Sequence, residues 1–176
     1  MKLREGFNFS TFSSAMMIWG VLAVIIGIPL IIVAWKNRNS ATKSRVFLGV
    51  LLAVLAGFVS FTVWLSWNSR AGIADVILRY GMPYPAIWQV VACGLTVIIL
   101  SGLVIYKLAD SWAWVPMVSF FTAMGLAIAY TAGVSYGPPS QEGIGVMLSF
   151  IGVGMLTTLT NLVFVAIALK KRSSLK

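Results

Sequence analysis

The chain has 176 residues, of which 60% are hydrophobic and only 10% charged, and it contains no histidine. A soluble domain carries roughly 25% charged and 45–50% apolar residues, so this composition predicts an integral membrane protein. Four carboxylates and one cysteine, without any imidazole, exclude the usual metal cages, histidine-ligated haem and a Ser-His-Asp triad. We therefore expect no catalytic residue, no cofactor-binding residue and no metal site.

Five stretches of the sequence contain no Asp, Glu, Lys or Arg. They cover about residues 15–35, 46–67, 86–106, 113–133 and 144–169. Each is long enough for a helix that crosses the hydrocarbon core, which takes about 20 residues, and the charged residues lie between them because charge is costly at mid-bilayer. The pattern predicts an all-α bundle of five transmembrane helices, forming one transmembrane domain over residues 1–176.

The first of these stretches follows Lys2 and Arg4, as the apolar core of a signal peptide would. It is longer than the roughly 7–15 residues of such a core, so we do not expect cleavage. Pro29 lies inside it and cannot donate a backbone hydrogen bond, which predicts a local bend. A gating hinge at Pro29 is the alternative interpretation.

The connections between the stretches predict orientation and local structure. Nine basic residues lie on the side of the C-terminus and four on the other, which predicts a cytoplasmic C-terminus and an outer N-terminus in a cell membrane. The charge of +9 is then a topology signal with some attraction to anionic headgroups, and we expect no nucleic-acid partner. A short interfacial helix is predicted at about residues 71–80, Asp110 or Ser111 is expected to cap the fourth helix, and Ser140 with Glu142 the fifth.

Small residues recur at four-residue spacing, which allows helices to approach closely in a membrane. Gly49, Ala53 and Gly57 form one such row, and Gly125, Ala129 and Gly133 form another; the fifth helix adds the pairs Gly145 with Ser149 and Gly154 with Thr158. We expect these rows to pack mainly within the chain. Lipid-facing surface is left for a membrane-protein partner or for self-association.

Polar side chains within the stretches are few. The fifth helix carries Thr157, Thr158, Thr160 and Asn161, and the third carries Gln89. Hydrogen bonds between helices are the expected role; the alternative is that the Thr157–Asn161 patch lines a cavity open to the cytoplasm. Cys93 is interpreted as a packing residue.

Aromatic residues near the span ends are expected to be interfacial anchors. Those on the predicted outer side could also form an aromatic cage that binds a substrate: Trp64, Trp67, Tyr80, Tyr84, Trp88, Tyr130 and Tyr136. The function that the sequence favours is a non-enzymatic accessory or structural subunit of a larger membrane complex, such as a respiratory or transport assembly. The alternative is a small-solute channel or carrier for a neutral substrate, working as a homo-oligomer.

Overall fold

The computed structural model describes residues 7–36, 40–66, 85–135 and 142–174. These residues form five helices, each long and apolar enough to cross a membrane. They are α1 (Phe9–Trp35), α2 (Ser40–Leu65), α3 (Ile87–Leu108), α4 (Trp114–Val134) and α5 (Glu142–Ser173). The predicted all-α architecture with five spans is confirmed. The predicted interfacial helix at residues 71–80, the cap by Ser140 and the side chain of Glu142 lie outside the described residues.

The helices extend beyond the charge-free stretches at several ends. Helix α1 begins at Phe9 because the side chain of Asn8 accepts a hydrogen bond from the Thr11 amide, at 3.1 Å, and caps it. Helix α5 continues to Ser173, through three basic residues that suit the negative end of the helix dipole. Charge therefore marks the edge of the hydrocarbon core and not the end of the helix.

Helix α4 lies at the centre of the bundle and contacts each of the other four helices. In the most apolar part of α4, 67% of the residues are buried, against 11% in α1 and 17% in α5. Its contacts are most extensive with α2 and α5, and α3 packs against both of those helices. The described part of the chain thus surrounds one buried helix with four that are largely exposed to lipid.

The interface between α2 and α4 depends on glycine. A side chain on Gly57 would collide with the carbonyl oxygen of Thr122, and one on Gly125 would collide with the carbonyl oxygen of Val54. These are backbone-to-backbone contacts, which only residues without a Cβ atom permit. The predicted small-residue rows at Gly57 and Gly125 therefore join two helices of the same chain.

Helix α1 changes its geometry halfway along its length. Residues Ala23–Gly27 form a π-helical turn, in which the Ile28 amide donates to the Ala23 carbonyl, five residues back. Pro29, which follows directly, has no amide hydrogen to continue an α-helical pattern. The irregularity predicted at Pro29 is thus a π turn just before the proline. Gly27 lies against Phe121, where an added methyl group would come within 2.9 Å of the ring.

The start of α4 differs from the prediction. Its N-cap residue is Ala113, rather than Asp110 or Ser111, and the alanine side chain makes no capping hydrogen bond. The first amides of α4 bond instead to nearby carbonyls: Trp114 to Ser111 at 3.3 Å, and Val115 to Trp112 at 3.1 Å. Asp110 accepts a hydrogen bond from the indole of the fully buried Trp114, at 3.0 Å, so its carboxylate fixes a side chain of the core.

Candidate polar site between α4 and α5

A buried polar cluster lies between α4 and the second half of α5, the half that is predicted to be on the cytoplasmic side. The side-chain amide of Asn161 donates to the hydroxyl of Ser119, at 3.1 Å, across the two helices. Asn161 has no exposed surface and Ser119 has 2%. The predicted role of Asn161 as an interhelical hydrogen-bonding residue is confirmed.

Two oxygen atoms of this region make no hydrogen bond within the part of the chain that the structure describes. They are the side-chain carbonyl oxygen of Asn161 and the hydroxyl oxygen of Thr122. Thr122 follows Ser119 by three residues and so lies on the same side of α4, one turn along. A buried polar group without a partner costs roughly 1–3 kcal/mol, so both atoms offer hydrogen-bonding capacity that the protein itself leaves unused.

The threonines of α5 are bonded within their own helix. Thr157 is fully buried and donates to the Val153 carbonyl at 2.7 Å, while Thr158 donates to the Gly154 carbonyl at 2.7 Å. Thr160 donates to Leu156 at 3.0 Å, on an exposed part of the helix. These are the backbone bonds expected of threonine in a helix. Thr157 lies one turn before Asn161 on the same side of α5, and we define the polar cluster as Ser119, Thr157 and Asn161.

The cluster is closed in this conformation. Because Thr157 and Asn161 are completely buried, they do not face an open cavity, as the alternative interpretation of this patch required. Thr158 lines a groove of about 570 Å³ between α1, α4 and α5. A solute could reach the buried cluster only after a change of conformation.

The ends of the helices that are predicted to face outward carry a second group of polar and aromatic contacts. The Gln89 amide donates to the Trp64 carbonyl at 2.9 Å, and the Trp64 indole donates to the Thr96 hydroxyl at 2.9 Å. Trp64 meets Trp88 edge to face, with ring centroids 6.1 Å apart. Tyr130 stacks on Phe61 at 5.2 Å. The other proposed members of the cage, Trp67, Tyr80, Tyr84 and Tyr136, lie outside the described residues.

A small cavity lies between the first half of α1, the end of α4 and the start of α5. It has a volume of about 180 Å³ and is bounded by Trp19, Thr131 and Met147, among others. The Trp19 indole donates to the Thr131 hydroxyl at 2.9 Å, and its ring contacts Phe150 at 5.2 Å. Trp19 is 3% exposed. The contact attaches the otherwise exposed helix α1 to the central helix.

Comparison with known proteins links the chain to a membrane transporter. It is 25% identical over 167 residues, 85% of this chain, to YvbW, an uncharacterized amino acid permease of Bacillus subtilis (strain 168). The chain spans 36%, about a third, of the length of that permease. No protein-family model matches the chain. No solved structure matches it.

The polar cluster offers hydrogen-bonding groups that could bind a ligand. A hydroxyl group can donate and accept, and the free Asn161 oxygen can accept, so the cluster fits a ligand with N–H or O–H groups. Among the described residues, no three His, Cys, Asp or Glu side chains gather to hold a metal ion. Ser119 and Thr122 were not singled out in the sequence. Their spacing of three residues in an apolar span, matched by Thr157 and Asn161 four apart, is the signal that could have found them.

Proposed function

We propose that this chain takes part in moving a small neutral or zwitterionic solute across the membrane, with an amino acid as the first candidate. The observation that carries the proposal is the polar cluster, in which the fully buried side-chain oxygen of Asn161 makes no hydrogen bond within the described chain. An ammonium group could donate to this oxygen, and a carboxylate could accept from the Ser119 hydroxyl. The similarity to an amino acid permease supports this class of solute.

The α2–α4 interface and helix α5 differ in a way that fits such a role. The α2–α4 interface is held by backbone contacts at Gly57 and Gly125, whereas α5 is only 17% buried in its most apolar part. Helix α5 can therefore shift while α2 and α4 stay together. The hydrogen bond between Asn161 and Ser119 would open in that movement and expose the cluster.

The test is uptake of radiolabelled neutral amino acids into proteoliposomes that contain the purified protein. We expect Asn161→Leu to reduce uptake by about tenfold or more, since the loss of one or two hydrogen bonds to the solute costs roughly 1–2 kcal/mol. Thr160→Val is the matched control, because it removes a hydroxyl from an exposed part of the same helix. Absence of uptake by the unaltered protein would reject the transport proposal. Unchanged uptake by Asn161→Leu would reject the role of the cluster.

The second candidate is a non-enzymatic accessory subunit of a larger membrane complex. It is favoured by the large exposed apolar face of α1. The partner would be another membrane protein or a second copy of this chain, in a cell membrane with the C-terminus in the cytoplasm. Native mass spectrometry of the protein extracted from its own membrane should then show a stoichiometric partner. A homogeneous monomer would contradict this candidate.

A further inference from the structure

An apolar groove runs between α2 and α3 on the surface of the bundle. Its volume is about 350 Å³, and its walls include Leu52 and Leu55 of α2 and Leu100 and Leu103 of α3. Leu52, Leu55 and Leu103 keep 37%, 45% and 48% of their surface exposed. From Leu100 to Lys107 the groove follows α3 for about 10 Å, at 1.5 Å per helical residue. It is therefore an apolar surface groove about two helical turns in length.

A positive charge closes one end of this groove. Lys107 is the one charged side chain in its lining and is itself exposed. The guanidinium of Arg172 lies beside it, donating to the Lys107 carbonyl at 3.0 Å. The ammonium of Lys171 donates to the Tyr106 hydroxyl at 2.8 Å. Three cations thus meet where α3 and α5 end.

Arg45 adds a further cation on α2. It is exposed, and it precedes Leu52 by seven residues, two helical turns, so it lies on the face of α2 that lines the groove, about 10 Å before the lining begins. Of the four acidic residues in the sequence, only Asp110 belongs to the segments at this end. Its carboxylate accepts the Trp114 indole hydrogen bond. The cations therefore outnumber the nearby acidic groups, and an anion placed among them would relieve their mutual repulsion.

We propose that this groove binds an anionic phospholipid, with an acyl chain between α2 and α3 and the phosphate held by Lys107 and Arg45. The charge complementarity selects the occupant: a zwitterionic lipid would bring its own positive group to the cations, and the apolar face of another helix would leave them unpaired. Lysine offers three donors and arginine a planar fork that matches two phosphate oxygens. Basic residues near a membrane surface attract anionic lipid. This site is independent of the polar cluster and of the transport proposal.

The test is native mass spectrometry of the detergent-solubilised protein, titrated with dioleoyl phosphatidylglycerol or dioleoyl phosphatidylcholine. We expect the unaltered protein to prefer phosphatidylglycerol and Lys107→Gln to lose about fivefold of that preference. Lys43→Gln is the matched control, since Lys43 lies over the Trp35 ring, 5.9 Å from its centroid, on another side of α2. Lys107→Arg should retain binding. Equal retention of the two lipids by the unaltered protein, or equal losses in Lys107→Gln and Lys43→Gln, would overturn the proposal.

The acyl chain is tested without a substitution. Dihexanoyl phosphatidylglycerol has the same headgroup but too short a chain to fill the groove, so we expect several-fold weaker retention than for the dioleoyl form. Retention of the two to the same extent would mean that only surface charge attracts the headgroup, and it would overturn the groove site. A dimer whose formation excludes phosphatidylglycerol would also overturn it, because a second copy would then cover the groove.

Discussion

The two main faces of α4 are built in different ways. Toward α2, Gly57 and Gly125 bring backbone against backbone, and any side chain there would strike a carbonyl oxygen. Toward α5, the contact includes side chains, with a hydrogen bond between Asn161 and Ser119 and a buried Asn161 oxygen that has no partner. The first face leaves no room for adjustment, whereas the second holds groups that could be satisfied in another arrangement.

The difference between the two faces indicates which helices are held together and which helix can shift. Close glycine contacts are lost at once when two helices separate, because dispersion forces act only at short range. A hydrogen bond between polar side chains can be exchanged for one to water or to a solute at little net cost. We call the α2–α4 contact the fixed face of α4. We call the α4–α5 contact the adjustable face, because the proposed transport role requires α5 to move.

The largest expected effect comes from breaking the fixed face. Gly57→Ala places a methyl group against the Thr122 carbonyl oxygen, so the two helices must move apart. We expect the free energy of unfolding to fall by about 3 kcal/mol, at the upper end of overpacking costs. Thermal unfolding in detergent, followed by tryptophan fluorescence, measures this loss.

Gly94→Ala in α3 is the matched control for that substitution. No atom lies within 4 Å of the position that its new methyl group would take, and alanine favours helix over glycine by about 1 kcal/mol in soluble hosts. We therefore expect no loss of stability from Gly94→Ala. Similar losses in the two variants would show that the α2–α4 contact is no tighter than the rest of the bundle.

The fixed face was predictable from the sequence and the adjustable face only in part. Glycines at four-residue spacing in an apolar span have one physical use, so Gly57 and Gly125 indicated a close helix contact directly. Asn161 was also expected to bond across helices, because an amide is costly in hydrocarbon without a partner. Its partner could not be predicted, since the pairing of Ser119 with Asn161 depends on how α5 is rotated and shifted along α4.

The tryptophans near the start of α4 also show what the sequence alone could not predict. Trp114 was expected to be an interfacial anchor, but it is fully buried and lies against Gly49 of α2, with its indole bonded to Asp110. Trp112, two residues earlier, is 54% exposed. Both tryptophans are near the end of a span, and only the tertiary arrangement decides which one enters the core.

A smaller effect is expected from the hydrogen bond across the adjustable face. Ser119→Ala leaves the Asn161 amide without its acceptor. We expect a loss of about 1 kcal/mol, which lies between the average of about 0.6 and the maximum of about 1.7 kcal/mol measured for such bonds in membranes. Ser101→Ala is the control, since Ser101 is equally buried but bonds within its own helix, to the Ile98 carbonyl at 3.3 Å. If Ser101→Ala cost as much as Ser119→Ala, the loss would reflect packing and not the interhelical bond.

The smallest expected effect is a gain in stability. Thr122→Val preserves the shape of the side chain and removes a buried hydroxyl that makes no hydrogen bond within the described chain, so the variant should be more stable by up to about 1 kcal/mol. Thr157→Val, which removes a hydroxyl bonded to the Val153 carbonyl at 2.7 Å, should show no such gain. A loss of stability in Thr122→Val would mean that this hydroxyl already has a partner, in water or in a bound solute. A gain in stability accompanied by reduced amino acid uptake would mark Thr122 as a position where the fold gives up stability to keep a polar group ready for ligand.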